Sequence, residues 1–376
     1  MDIAFTEEQE ILRNSLQRLL GNEYGFGQRR AIVDSEAGWG RHHWRLFAEL
    51  GLLAAPFGET VGGLGGGGLA TMIVMREFGR HLVLEPFVET VVLAGGLIEA
   101  LGSEAQVSEH LPPIMAGEAI WTLAWTERKS RYDLAHVTAT AEADASDYVL
   151  TGTKAVVLAA PWADKLLITA RVSGAARDRS GVSLFAVDRH AANLHLRSFR
   201  TIDGRRAADI ALDGVRVPHT ALLGQPGAAV PALEACRVRA IAALCAEAVG
   251  CMQALNEATL DYARTRKQFG SPLGTFQVLQ HRLVDMFIAE QEALSLSEYL
   301  CVAVASADPD AAKLAAAAKC KIGDAATFVA EQSVQIHGGM GMTDELNVGH
   351  FLKRIIAINT QFGDQAFHLA QYLQAA

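Results

Sequence analysis

The spacing of apolar residues changes twice along this chain, and that double change limits the fold more than any single motif does. Up to about Gly117 apolar residues recur at helical intervals. Ile11, Leu12, Leu16, Leu19 and Leu20 form one stripe, Trp44, Phe47, Leu50, Leu52 and Leu53 a second that ends at Pro56, and Leu69, Met72, Met75 and Phe78 a third. Thr6 with Gln9 fits a capping box, and Pro112, Pro113 and Gly117 punctuate the block. From Ala119 to about Leu223 the period shortens to that of strands. Short runs at Val137–Ala143, Tyr148–Leu158, Leu166–Ala170, Val182–Val187, Asp209–Leu212 and Val215–Pro218 are separated by Gly, Asp, Asn and Pro. From Ala229 the helical period returns in long alanine-rich segments. The expected fold is therefore α+β and multidomain: an N-terminal helical domain (1–118), a central β-barrel domain (119–225) and a C-terminal four-helix bundle (226–376).

Charge removes some functions. Asp and Glu number 42 against 33 Lys and Arg, for a net charge of −9 without a basic block. That balance excludes nucleic acid or an anionic membrane surface as the main partner, but not an anionic small molecule, which needs only a local basic pocket. The N-terminus is acidic where a secretory signal is basic, and the apolar stretch Ala240–Leu255 is short for a bilayer and contains Glu247. No membrane insertion is expected. The five cysteines fall in helix-like stretches without CxxC or Cys/His ligand spacing, so they read as core residues of a reducing, cytoplasmic compartment with no metal site.

Three strings carry possible chemistry. Gly63, Gly65 and Gly68 formally satisfy GxGxxG, but helices lie on both sides, so the string reads as a helix–helix loop. Tyr262-Ala-Arg-Thr-Arg-Lys-Gln-Phe-Gly270 ends a helix in a cationic cluster and turns before Phe276-Gln277. The cluster suits either the helix dipole or a pyrophosphate. Gln335-Ile-His-Gly-Gly-Met-Gly-Met-Thr-Asp-Glu345 puts glycines at a helix stop, either as a cap or to let a ligand approach the backbone. His337 and His350 nearby read as structural.

The last two strings strongly resemble the C-terminal signatures of the acyl-CoA dehydrogenase family, and Leu123-Ala-Trp-Thr-Glu127 resembles its flavin-contact segment. The helix–β–helix order agrees along the whole chain. Around Ser130-Arg-Tyr-Asp-Leu134 and Cys245-Ala-Glu-Ala-Val-Gly250 the chain looks most like the small-subunit type of pimeloyl-CoA dehydrogenase. The resemblance implies FAD-dependent α,β-desaturation of an acyl-CoA. A carboxylate removes the α-proton, the β-hydrogen leaves as hydride to flavin N5, and an electron-transfer flavoprotein reoxidises the cofactor. It places Leu123, Trp125 and Thr126 at the flavin ring. Arg266, Phe269, Gln277, Gln335, Gly338 and Gly339 fall on the adenosine diphosphate part across a subunit interface, in a homo-oligomer or with a sister subunit. Arg131 and Tyr132 fall beside the acyl-CoA.

The chain also departs from the family. Counted without gaps from Gln335, the usual catalytic glutamate is Phe362, which cannot accept a proton. Val156 and Leu158 replace a Trp-x-Thr flavin contact, and Arg131-Tyr132 replaces a Gly-Ser pair. The candidate replacement base is Glu247, the one formal charge between Ala240 and Leu255. Isolated burial would raise its pKa toward the range useful for proton abstraction. The alternative is a glutamate paired with Arg237, Arg239 or a cation of another helix. The functional alternatives are a competent dehydrogenase, an FAD-sharing subunit without chemistry of its own, and an oxygen-using flavoenzyme on the same fold.

Overall fold

A computed structural model describes residues 5–374. The N-terminal helices are α1 (Glu7–Glu23), α2 (Phe26–Asp34), α3 (Arg41–Glu49), α4 (Gly67–His81), α5 (Gly96–Leu101) and α6 (Glu104–Met115). The capping box forms: Thr6 Oγ1 accepts from the Gln9 backbone N–H at 3.3 Å, and Gln9 Oε1 from that of Thr6 at 3.1 Å. Leu16 and Leu20 are buried while Ile11 faces outward, so the apolar stripe is narrower than its sequence pattern. Pro112 and Pro113 lie inside α6 and do not terminate it. A proline forfeits its own N–H but keeps its carbonyl, and Pro112 O accepts from Ala116 N at 2.9 Å. The glycine string before α4 follows a single 3₁₀ turn, Glu59–Val61, instead of a strand. A Cβ at Gly63 would overlap the Phe57 backbone, so close packing explains that glycine.

The strands are β1 (Trp121–Ala124), β2 (Thr140–Asp144), β3 (Asp147–Leu158), β4 (Lys165–Arg171), β5 (Val182–Asp188), β6 (Leu194–Arg200), β7 (Arg206–Pro218) and β8 (Leu222–Leu223). They make one sheet in the order β6-β7-β3-β2-β4-β5-β8, with β1 parallel to β4. The β-rich block is thus one sheet-built middle domain between two helical ones, as the change of period predicted. The sequence pattern had no strand at β6, where the alternation Leu194-His195-Leu196-Arg197 breaks at Ser198. The two short runs after Asp209 are one strand, β7, interrupted by a register shift opposite Leu150 and Thr151.

The C-terminal helices are α7 (Val230–Thr265), α8 (Gln277–Ala305), α9 (Ala311–His337), α10 (Asn347–Thr360) and α11 (Gln365–Gln374), with a small hairpin of β9 (Lys267–Gln268) and β10 (Ser271–Pro272) after α7. The C-terminal block is helical as expected, with α8, α10 and α11 packed on α9. By length and composition α7 is apolar enough to cross a membrane, but 78% of that window is buried in the protein's own interior, as in a core helix. Small residues let α4 cross α7 closely. A Cβ at Gly79 would overlap Glu247 O, and one at Gly250 would overlap Arg76 O. Cys236, Cys245, Cys251 and Cys301 are buried thiols outside any disulfide, and burial pushes Cys236 and Cys245 up to about 12.

The chain divides into two compact units. The first comprises Met1–Ala31, Gly68–Val83 and Ile241–Ala376, the second Ile32–Gly67 and Leu84–Ala240.

Candidate active site

In the first unit the two C-terminal strings come together. Tyr262, in the last turns of α7, stacks on His337 at the end of α9, with ring centroids 4.2 Å apart and planes inclined by 25°. His337 Nδ1 bonds to Ser333 O at 2.8 Å. Burial lowers its pKa against the pull of that bond, so at neutral pH the ring is an uncharged structural element. Past α7 the chain turns at Phe269 and Gly270, both with positive φ, and Arg266 O accepts from Leu273 N at 2.8 Å. Arg266 and Gln277 are exposed, and Phe269 is 94% exposed. Gln335 is exposed on the last turn of α9, followed by Gly338 (φ 63°) and Gly339. A Cβ at Gly270, Gly338 or Gly339 would meet nothing within 4 Å. An exposed guanidinium and backbone bare of side chains, brought together at the ends of two helices, suit a ligand diphosphate.

Glu247 does not lie isolated among apolar neighbours, which corrects the premise of the expected base. It is 0% exposed, and both carboxylate oxygens are held by Arg354 of α10, Nε to Oε1 and Nη2 to Oε2, each at 2.6 Å. The cation is neither Arg237 nor Arg239 but one from another helix. A bidentate guanidinium engages both oxygens a base would use. Beyond α10, Phe362 stands in a left-handed turn (φ 58°). Buried Lys319 of α9 fastens this turn by donating to Ile358 O at 2.7 Å and Gly363 O at 3.4 Å. Burial pushes that lysine down to about 8.

In the second unit Leu123 is buried in β1, and Trp125 and Thr126 are half-buried just beyond it. Thr126 O accepts from Ala155 N at 2.8 Å, tying this segment to the Val156–Leu158 stretch. Val156 sits at a bulge with φ 53° and is 52% exposed, and its N–H donates to Asp209 Oδ1 at 3.1 Å. A β-branched residue is strained there. Glu127 closes the segment from within. Its carboxylate accepts from Lys154 Nζ at 2.7 Å, from the N–H of Thr138 at 2.9 Å and of Ala139 at 3.1 Å, and from the Thr138 hydroxyl. Burial alone would raise the Glu127 carboxyl, but Lys154 and Thr138 bring it below its usual value. Burial pushes Lys154 down to about 8 against the pull of Glu127. Arg131 is exposed with φ 46°, and the carbonyl of half-buried Tyr132 accepts from Arg237 at 3.4 Å.

Sequence reasoning passed over Arg354, Lys154 and Lys319. Lys154 is a lone cation in an apolar run, which was an available signal, whereas Arg354 beside Lys353 and Lys319 beside Cys320-Lys321 read as ordinary charged helix positions.

Residues 6–118, 122–215 and 239–375 match, in that order, the N-terminal, middle and C-terminal domains of acyl-CoA dehydrogenase. This chain belongs to the acyl-CoA dehydrogenase family. As a family member it is an FAD-dependent oxidoreductase acting on acyl-CoA. It is 30% identical over 366 residues to the probable acyl-CoA dehydrogenase YngJ of Bacillus subtilis, covering 94% of this chain and 93% of that one. It is 30% identical over 325 residues to the human mitochondrial short-chain specific acyl-CoA dehydrogenase, covering 84% and 77%. Among solved structures, a variant of the Tcur3481-Tcur3483 steroid ACAD is 28% identical with a TM-score of 0.87, over 98% of this chain and 97% of that one.

Proposed function

We propose that this acyl-CoA dehydrogenase introduces an α,β double bond into an acyl-CoA as one subunit of a heteromeric assembly, with the proton-abstracting carboxylate supplied by a sister subunit. The observation that carries this reading is the state of the two base positions. Phe362 occupies one, and Glu247, the chain's own candidate, is locked to Arg354. Two further features support it. Val278, Val284, Phe287 and Ile288 expose an apolar face along α8, as expected of a subunit contact. The related steroid ACAD, Tcur3481-Tcur3483, is named for two proteins.

The exposed set Arg266, Phe269, Gln277, Gln335, Gly338 and Gly339 fits the adenosine diphosphate part of FAD, while Leu123, Trp125 and Thr126 line the ring. When bound, FAD supplies the acceptor for the β-hydride. This chain's residues bind and orient. Arg266 neutralises diphosphate charge, and the Glu127–Lys154 pair fixes the Thr126 segment. Arg131 and Tyr132 meet the acyl-CoA. A guanidinium at Arg131 suits a dicarboxylyl-CoA, in keeping with the resemblance to the small subunit of pimeloyl-CoA dehydrogenase, and an electron-transfer flavoprotein is the proposed acceptor.

A second reading keeps the base in this chain, as Glu247 released by Arg354, and its burial in an apolar helix favours that role. The visible absorption spectrum of the chain purified alone separates the two. A colourless protein that FAD cannot reconstitute supports the heteromeric reading. Stoichiometric FAD points to a complete site here, and turnover by wild type but not by Glu247→Gln would then overturn our proposal.

A further inference from the structure

Arg171, at the end of β4, is buried and donates to six main-chain carbonyls. Its Nε reaches Val137 O at 3.0 Å. Nη1 reaches Ser180 O at 3.0 Å and Ser173 O at 3.3 Å, and Nη2 reaches Ala135 O at 2.6 Å, Ala176 O at 3.1 Å and Asp178 O at 3.2 Å. A guanidinium has five N–H donors in a fixed fork, so this one is saturated by backbone alone. The acceptors belong to two loops. One runs from Glu127 to Ala139 and carries Arg131 and Tyr132. The other runs from Val172 to Gly181 and carries exposed Arg177 and Arg179.

The backbone reinforces the tie. Val137 N donates to Ala176 O at 3.0 Å, Val172 N to Gly181 O at 2.8 Å, and Arg171 N to Ala139 O at 2.7 Å. A Cβ at Gly181 (φ 98°) would overlap Ser173 O and stand 3.1 Å from Arg171 Nη1, so the second loop closes against the guanidinium only with glycine there. The stretch from Ala135 to Ala139 is gripped by opposite charges. Arg171 takes the carbonyls of Ala135 and Val137, and Glu127 takes the N–H groups of Thr138 and Ala139.

We infer that Arg171 is a positioning residue for acyl-CoA binding, fixing the loop of Arg131 and Tyr132 against the loop of Arg177. The two loops then present exposed guanidiniums in one arrangement to the polyanionic coenzyme A portion of the substrate. Lysine at this position has a single three-donor head and cannot satisfy both loops. The inference rests on the reading that Arg131 and Tyr132 meet acyl-CoA.

The test measures binding of coenzyme A to the full chain by calorimetry, with hydrogen exchange read by mass spectrometry. In Arg171→Lys and Arg171→Met, coenzyme A affinity falls on the order of tenfold or more. Amides of 135–139 and 172–181 exchange faster, while those of α9 stay as in wild type. Faster exchange in these loops with unchanged affinity overturns the inference and leaves Arg171 as a fold element only. Unchanged exchange overturns the tie itself. If the wild-type chain does not bind coenzyme A, or Arg131→Ala binds it as wild type does, the underlying reading of Arg131 has failed. The exchange arm still decides whether Arg171 holds the loops.

Discussion

The regions of the two units that we propose face the cofactor differ in what they keep. In the first unit the family's surface residues survive. Arg266, Gln335 and the Gly338–Gly339 turn are present and exposed, on a stacked support of Tyr262 and His337. In the second unit the support survives and the surface does not. Buried Glu127 and Lys154 pair with each other, with Thr138 closing the carboxylate from the surface, yet the outward positions are Val156, Leu158 and Arg131. Buried charge is hard to change because removing one partner strands the other. Exposed positions drift once their ligand no longer depends on them. This difference is what a subunit that shares a cofactor would accumulate.

The comparison breaks most readily at the buried pairs. Lys154→Met should destabilise the protein by about 3–5 kcal/mol, as should Arg354→Met, each read from denaturant midpoints at constant slope. The double variants Lys154→Met/Glu127→Leu and Arg354→Met/Glu247→Leu should recover much of that loss. If Arg354→Met is as stable as wild type, the Glu247 pair is not a fold element and the base reading regains its premise. A smaller effect is expected at the surface. Arg266→Ala should weaken FAD retention by about 1.5–3 kcal/mol, the scale of a charge-assisted hydrogen bond, with little change in melting temperature. An equal FAD loss in Val156→Ala, measured by absorbance, would erase the contrast between the regions.

Much of this was legible in the chain. The period changes located the helical and sheet blocks, and the separated motifs marked the family. What escaped was set by long-range pairing. No local pattern says that Arg354 reaches Glu247, 107 residues away in sequence, or that Lys154 lies inward on its strand against Glu127. β6 escaped because the alternation Leu194-His195-Leu196-Arg197 breaks at Ser198 and leaves too short a run to read as a strand.

Two smaller predictions sharpen the contrast. Val156→Asn should stabilise the protein by about 1 kcal/mol, since asparagine tolerates left-handed backbone far better than a β-branched residue, and thermal melts would show it. His337 has a folded pKa below its ordinary 6.5, so below that value the unfolded state binds more protons and stability falls with falling pH. Melts between pH 7.5 and 5.5 should show that loss, and His337→Gln should flatten part of it. An unchanged slope in the variant would mean that the Tyr262 stack holds no titrating group.

The most direct test of the central claim is anaerobic mixing of a panel of acyl-CoA thioesters with the chain incubated with FAD, alone and after co-expression with a sister dehydrogenase subunit, watching the flavin absorption. The shared-site account predicts no bleaching by the chain alone and rapid bleaching in the heteromer. Rapid bleaching by the chain alone, lost in Glu247→Gln, would contradict it and return the base to this polypeptide.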